Sequence, residues 1–145
     1  MNSLSAADRA LVRRSFRHVA ANHQRISDHF FKRLFALDAQ TEKLFARDMN
    51  RQRHKFMYML ALIVSTMDDP AAFERIARDM GLRHAQYGVQ RQHFDLGRDA
   101  LLYALEEQLG QQFTVKLREA WARLYDHFVE LGFSELDNLN SAYVE

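Results

Sequence analysis

The sequence predicts an all-α fold in a single domain that covers residues 1–145. Apolar residues recur at helical spacing along nearly the whole chain, and no segment alternates convincingly with the period of two that marks a β-strand. The chain has one proline and five glycines, too few for the many turns of a β-sandwich. Hydrophobic residues make up 48% of the sequence and charged residues 27%, which is typical of a globular protein with a real core.

The same composition excludes several classes of protein. There are no cysteines, so the chain can form neither a disulfide framework nor a thiolate nucleophile or cysteine metal site. The formal net charge is only +1, which does not favour a nucleic-acid partner. No run of about 18 apolar residues marks a membrane span, and the N-terminus lacks the apolar core of a signal peptide. We therefore expect a cytoplasmic protein without a membrane partner.

Start and stop signals divide the chain into about seven helices. Ser5 can cap the first helix, with Asp8 as its capping-box partner. Asp69 and Pro70 mark the start of another helix, because aspartate is a good cap and proline fits the first helical position. Gly88 supplies the residue at which that helix can stop.

The remaining boundaries follow the same chemistry. A short turn-rich piece ends at Leu44 and Phe45, Gly110 closes the long sixth helix and Thr114 can cap the seventh. Residues 136–145 are polar and are expected to fray. The apolar positions that should face the core are, in chain order, Leu11, Val12, Phe16, Val19, Ile26, Phe30, Phe31, Leu34, Phe35, Met49, Phe56, Met59, Leu60, Ile63, Met67, Phe73, Ile76, Ala77, Met80, Phe94, Leu101, Leu105, Leu109, Leu117, Trp121, Leu124 and Phe128.

Two polar residues interrupt these apolar stripes. His84 falls four residues past Met80 on its helix, so its side chain should face the interior. Gln52 lies between Met49 and Phe56 on the stripe of an earlier helix. Buried polar groups need partners, and a neighbouring carbonyl could satisfy His84 while Gln52 could be half exposed. The alternative is a buried binding site towards which both helices direct one polar side chain.

If His84 is a metal ligand, the sequence favours haem iron over zinc. Zinc needs three or four ligands, whereas one neutral imidazole in an apolar pocket can hold haem iron. The other histidines, at positions 18, 23, 29, 54, 93 and 127, show no i, i+4 pair and no HExxH motif. No second protein ligand is therefore in evidence beside His84.

Six motifs in register resemble those of the globin family. The closest types are the single-domain bacterial haemoglobins and neuroglobin, and the resemblance runs from about residue 4 to residue 135. The motifs are RLFALD (33–38), LF (44–45), Q-x-x-K-F (52–56), RHAQYGV (83–89), LLYALEEQLGQQFT (101–114) and AW-x-x-LY (120–125). The resemblance implies a globin fold that holds one haem b.

The resemblance also implies roles for individual residues. His84 matches the proximal histidine that binds the iron, and Gln52 matches the distal position over the gas ligand. Phe45 matches the aromatic residue that stacks on the porphyrin, and Phe56 matches the residue that crowds the ligand. The other implied contacts are Phe31 beside the ligand, Lys55 at a haem propionate, Arg83 and His93 as weaker propionate candidates, and Val89 and Phe94 packed against the haem.

The chain departs from its relatives at several of these positions. Phe31 stands where many bacterial globins have a tyrosine, so a hydroxyl that would hold oxygen is missing. Phe94 stands where flavohaemoglobins have a tyrosine that joins a glutamate of the last helix to polarise the proximal histidine. Leu136 falls at the glutamate position, with Glu135 one residue off, which argues against peroxidase-like chemistry. Gly97 replaces a valine and is expected to leave a small void near the haem.

The expected function is reversible binding of oxygen or another diatomic gas, such as carbon monoxide or nitric oxide, at ferrous haem. One alternative is nitric oxide dioxygenation with a separate reductase, because the sequence carries no flavin or nicotinamide motif. Another is a redox or gas sensor, for which no output domain is visible. His54 could bind the iron opposite His84 only after a register slip or unwinding, because it lies about 200° around the helix from Gln52.

Overall fold

Six α-helices and two 3-10 helices make up the computed structural model, which describes residues 4–45 and 48–144, with side chains up to residue 134. No strand occurs within those ranges, so the predicted all-α fold is confirmed. The α-helices are α1 (Ala6–Ala21), α2 (His23–Leu37), α3 (Met49–Thr66), α4 (Pro70–Gln86), α5 (Arg91–Leu109) and α6 (Val115–Val144). The 3-10 helices are Ala39–Leu44, which is the predicted turn-rich piece, and Gly110–Gln112.

The predicted helix boundaries are present as hydrogen bonds from first-turn amides to cap side chains. These bonds run from Asp8 N to Ser5 Oγ (3.0 Å), from Ala72 N to Asp69 Oδ1 (3.2 Å) and from Leu117 N to Thr114 Oγ1 (3.2 Å). Each bond satisfies an amide that has no partner within its helix. Gly88 and Gly110 follow α4 and α5 with positive φ angles of 83° and 57°, which side chains strongly disfavour.

The main core surrounds Trp121 of α6, whose side chain is only 1% exposed. The indole N–H donates to Ser15 Oγ of α1 at 2.9 Å, and that hydroxyl donates to the carbonyl of Val12 at 2.9 Å. The bonds satisfy buried polar atoms and tie α1 to α6. Most predicted core positions are buried; those only half-buried at its rim are Leu11, Phe16, Phe30, Phe35, Met49, Phe56, Met59, Met67, Ile76 and Phe94.

Two glycines allow α4 and α6 to pack closely. A Cβ atom on Gly81 would lie 2.2 Å from the carbonyl oxygen of Gly132, and a Cβ atom on Gly132 would lie 2.8 Å from the carbonyl oxygen of Ala77. Neither backbone could accept a side chain at this crossing without moving. Gly81 precedes His84 by three residues, so the contact fixes the part of α4 that carries this histidine.

The last helix is longer than the sequence indicates. α6 continues to Val144 and includes most of residues 136–145, which the polar composition predicts to fray. A helix satisfies its own backbone groups whatever its side chains, so a polar composition alone does not end one. Fraying of this segment stays a prediction.

Candidate functional site

His84 lies in the last turn of α4 and is half-buried. Its Nδ1 atom is 2.8 Å from the carbonyl oxygen of Met80. A carbonyl oxygen can only accept a hydrogen bond, so Nδ1 carries the proton and Nε2 keeps a lone pair. Burial lowers the pKa of His84, and this effect outweighs that of the Met80 hydrogen bond, which raises the pKa. The lowered pKa favours the neutral imidazole. A neutral imidazole whose other nitrogen donates to a carbonyl is the usual form of a metal-binding histidine.

The backbone of His84 is held as firmly as its ring. Its carbonyl oxygen accepts hydrogen bonds from the amides of Tyr87 at 3.1 Å and Val89 at 3.0 Å. The two bonds close the end of α4 around Gly88, whose positive φ lets the chain reverse. They also bring half-buried Val89 next to the histidine at the chain reversal.

Phe94 connects His84 to the last helix. Its ring centroid lies 5.5 Å from that of His84 and 5.0 Å from that of Phe133 on α6. The hydroxyl of Tyr125 donates to the Phe94 carbonyl at 2.6 Å. Burial is the main cause that raises the pKa of Tyr125, so this hydroxyl stays protonated and able to donate. The sequence indicated Phe94 but neither Phe133 nor the role of Tyr125.

The void expected beside Gly97 is absent, and that expectation is wrong. A Cβ atom on Gly97 would lie 2.6 Å from the Tyr125 hydroxyl oxygen, so the tyrosine occupies the space that a valine side chain would need. Gly97 itself is buried. The glycine and the tyrosine are therefore a complementary pair, one on α5 and one on α6.

A second group of site residues forms an aromatic cluster between α2, α3 and the 3-10 helix. Buried Phe31 meets Phe45 edge-on at 5.2 Å and Phe56 at 5.8 Å. Phe30 stacks on Phe56 at 4.2 Å, and Phe35 packs against Phe31 and Phe45. The predicted residues Phe31, Phe45 and Phe56 are therefore brought together in one apolar cluster. Helix α5 joins this cluster to the histidine side, because it carries Phe94 and also Leu96 and Ala100 of the cluster.

Gln52 and Lys55 lie on α3 beside this cluster. Gln52 is half-buried, one turn before Phe56, and Lys55 is exposed. His54 is also exposed and lines a separate polar cavity of about 250 Å³ with residues that include His23, Asn50 and Arg53. The helix therefore turns His54 towards that cavity and away from Phe56, as its 200° offset predicts.

Two predicted propionate residues have other partners in the structure. Arg83 is exposed and pairs with Asp79 one turn earlier at 3.0 Å. His93 closes a capping box at the start of α5, where its Nδ1 accepts from the Gln90 amide at 2.8 Å and its own amide donates to the Gln90 side chain. His93 thus has a structural role that the sequence reading missed, although Q-x-x-H has the spacing of a capping box.

The residues present fit haem. The proximal requirement is one neutral imidazole with a free nitrogen, and His84 has both properties. An apolar porphyrin needs apolar walls, and the phenylalanine cluster of α2 and α3 has side chains of the kind that could supply them. The side chains of Leu136 and Glu135, which bear on the flavohaemoglobin-like pair, lie outside the described residues.

Comparison with known proteins shows the family of this chain. The chain belongs to the globin family, whose model matches residues 28–131. Globins bind haem and, through it, diatomic gases. The chain is 31% identical over 139 residues to neuroglobin of Tetraodon nigroviridis and to neuroglobin of Danio rerio, and each comparison covers 86% of this chain and 87% of the relative.

Two further relatives carry names that refer to chemistry. A flavohemoprotein of Bordetella pertussis is 24% identical over 131 residues, which are 88% of this chain but 33% of that protein, so this chain spans about a third of its length. A solved structure of an engineered carbene transferase, built on a candidate nitric oxide dioxygenase of Rhodothermus marinus with one glutamine replaced by valine, matches with a TM-score of 0.84. It is 31% identical, and the comparison covers 98% of this chain and 99% of that chain.

Among the described residues, no helix combines the length and apolar character that crossing a lipid bilayer requires. The same part of the chain holds no group of three or more histidine, aspartate or glutamate side chains placed to bind a metal ion.

Proposed function

We propose that this globin holds one haem b through His84 and binds oxygen or another diatomic gas reversibly on the opposite face. One observation carries the proposal: the Nδ1 of His84 is engaged by the Met80 carbonyl, which leaves Nε2 as the nitrogen available to iron. Ferrous haem supplies the capacity to bind the gas, and the protein supplies the ligand, the apolar pocket and the polar group beside the gas.

The chain's own residues have distinct parts in this function. Phe45 and Phe31 line the pocket with apolar surface and exclude water from it. Phe56 would limit the room beside the gas, and the amide of Gln52 would donate a hydrogen bond to it. Near His84, Val89 and Phe94 would pack against the porphyrin, and Phe94 would also limit the movement of the His84 ring, which it contacts.

The charged residues of the site face outwards. Lys55 is exposed on α3, where its ammonium group can reach a propionate at the pocket edge. Arg83 can reach a propionate only if it breaks its ion pair with Asp79 or binds both groups at once. His93 can bind a propionate only through Nε2, because its Nδ1 accepts the capping-box hydrogen bond from the Gln90 amide. Lys55 is therefore the strongest of the three propionate candidates.

A second candidate function is nitric oxide dioxygenation, in which oxygen and nitric oxide give nitrate. The likeness to the Rhodothermus marinus protein, whose name refers to this activity, supports it. Each cycle needs an electron from a donor, so a separate reductase would be the partner. Buried Phe31 has no hydroxyl to hold oxygen, which leaves Gln52 as the expected donor for either function.

The experiment that tests the proposal is an absorption spectrum of the purified protein in its ferric, ferrous and oxygen-exposed forms, followed over time. We expect a Soret band in every form and a ferrous form that takes up oxygen and releases it under vacuum. Extraction of the pigment should identify haem b. A protein that purifies without haem and takes up none when haem is added would overturn the proposal. Rapid conversion of nitric oxide to nitrate with added reductase would favour the second candidate.

A further inference from the structure

We propose that Phe30, a residue outside the predicted pocket, sets the size of ligand that the pocket admits by fixing the ring of Phe56. This inference rests on the proposed function, since Phe56 is taken to border the gas. Phe30 and Phe56 lie on different helices, and their ring centroids are 4.2 Å apart at an interplanar angle of 24°. Two rings at this separation and angle are in face-to-face contact.

The Phe56 ring is held from two sides. Phe30 covers its face, and the adjacent Phe31 meets it at 65° with the centroids 5.8 Å apart. Phe30 and Phe31 also contact each other at 5.1 Å and 86°. These contacts restrict the Phe56 ring, because movement towards either neighbouring ring is blocked.

The position of Phe56 on α3 gives this restraint a consequence. Phe56 follows Gln52 by one helical turn, so the two side chains share one face of α3. Any ligand that accepts a hydrogen bond from Gln52 must fit beside the Phe56 ring. A diatomic gas needs little room there, whereas a branched or longer ligand would require Phe56 to swing away, and Phe30 opposes that movement.

Phe35 offers a matched control. It lies on the same helix as Phe30 and packs in the same cluster, where its ring contacts are with Phe31 at 5.9 Å and Phe45 at 5.7 Å. Replacing either phenylalanine by leucine removes one aromatic ring from one cluster. Only the substitution at Phe30 removes the ring that stacks on Phe56.

The first test measures the affinity of the ferrous haem protein for methyl isocyanide and for tert-butyl isocyanide. We expect Phe30→Leu to raise the affinity for the bulky ligand relative to the small one by up to roughly tenfold. Phe35→Leu should change the ratio by less than about twofold. An unchanged ratio in Phe30→Leu, or an equal change in Phe35→Leu, would overturn the proposal. Phe30→Met, which keeps the volume without the flat face, replaces the leucine variant if that does not fold.

The second test needs no haem. Urea unfolding of the haem-free parent, Phe30→Leu, Phe56→Leu and the double variant gives the coupling between the two rings. We expect the double variant to lose clearly less stability than the sum of the two single losses. Strictly additive losses would show that the Phe30 and Phe56 rings do not stabilise each other, and would overturn the proposal. Failure of the parent to take up haem would overturn the proposed function and the size limit with it, but this coupling would still decide whether Phe30 restrains Phe56.

Discussion

Gly81 of α4 lies so close to Gly132 of α6 that a Cβ atom on Gly81 would come within 2.2 Å of the Gly132 carbonyl oxygen. Two opposing effects act on Gly81→Ala. Alanine favours a helix over glycine by about 1 kcal/mol, but overpacking at a backbone contact costs about 1–3 kcal/mol. We expect the clash to win, because a backbone carbonyl cannot move aside as the end of a side chain can. Urea unfolding should show a net loss of stability, with faster haem loss as α4 shifts.

An exposed helical position provides the control for this substitution. Glu107→Ala on α5 should change the free energy of unfolding by less than about 0.5 kcal/mol. A Gly81→Ala protein as stable as the parent would mean that the two helices can separate without cost, and that the crossing does not position His84.

Removal of the His84 ring tests the proximal assignment. His84→Ala takes away the proposed iron ligand and opens a space between α4 and Phe94. We expect most haem to be lost during purification, or to be retained in a form whose spectrum added imidazole restores, since free imidazole fits the space of the missing ring. The ferrous carbon monoxide spectrum is the measurement.

An exposed histidine on another helix controls for the loss of a histidine in general. His18→Gln on α1, at an exposed position, should keep the parent spectrum. If His84→Ala also kept the parent spectrum without imidazole, another residue would have to be the ligand.

Gln52→Leu tests the distal donor. Oxygen at ferrous haem carries partial negative charge, so a hydrogen bond to it contributes about 1.5–3 kcal/mol at most, and each 1.4 kcal/mol is about tenfold in affinity. We expect oxygen release to become roughly tenfold faster or more, and oxidation in air to become faster too. Binding of carbon monoxide, which is much less polar, should change little. Stopped-flow displacement of oxygen gives the rate.

His54→Leu is the matched variant, two residues along the same helix but facing the separate polar cavity. It should release oxygen at the parent rate. If Gln52→Leu also released oxygen at the parent rate, Gln52 would not be the donor, and a trapped water or His54 would become the group to examine.

Gly97 and Tyr125 should show strong coupling. Gly97→Ala alone brings a methyl group to 2.6 Å from the Tyr125 hydroxyl and should destabilise the fold despite better helix propensity. Tyr125→Phe alone loses the hydrogen bond to the Phe94 carbonyl and should cost about 0.5–1.5 kcal/mol. With both changes the methyl group occupies the place of the hydroxyl, so the double variant should be more stable than Gly97→Ala. Thermal unfolding of the four proteins measures this coupling, and additive losses would contradict it.

The stability of the protein should fall as the pH falls below 6.5, the ordinary pKa of histidine. His127 stacks on Phe73 with the centroids 5.4 Å apart, and burial lowers its pKa. A lowered folded pKa means that the unfolded chain takes up the proton first, so this stabilisation is complete above pH 6.5 and is lost as the pH falls through the folded pKa. His127→Gln should make the free energy of unfolding less dependent on pH between 7 and 5.

Part of the dependence of the free energy of unfolding on pH should remain in His127→Gln, because burial also lowers the pKa of His84 in the haem-free protein. A parent whose stability does not change over this pH range would contradict the prediction.

Local chemistry accounts for what the sequence could predict. Ser5, Asp69 and Thr114 cap helices through bonds to residues three positions on, so the pattern that predicts each cap also contains both partners. The apolar stripes were equally predictable, because burial follows helical spacing. His84 and Gln52 stood out as polar residues on those stripes, and the structure places both at half-buried positions.

Contacts between distant parts of the chain account for what the sequence could not predict. Whether Gly97 leaves a void depends on Tyr125, which is far along the chain and on another helix. The packing of Phe133 on Phe94 and of Phe30 on Phe56 likewise depends on how helices cross, which no single helical pattern contains. His93 is different, since its capping box is local and a search for polar residues at that spacing would have found it.

The three hydrogen bonds at His84 have a consequence for the speed and specificity of haem capture. Its ring nitrogen is tied to the preceding turn at Met80, and its carbonyl is tied to the following turn at Tyr87 and Val89. A side chain already confined to one orientation loses little further entropy when it coordinates a metal. If His84 is the iron ligand, as proposed, haem would therefore bind to an imidazole whose orientation the fold has already set, and a porphyrin at a different tilt would find no imidazole able to reorient towards it.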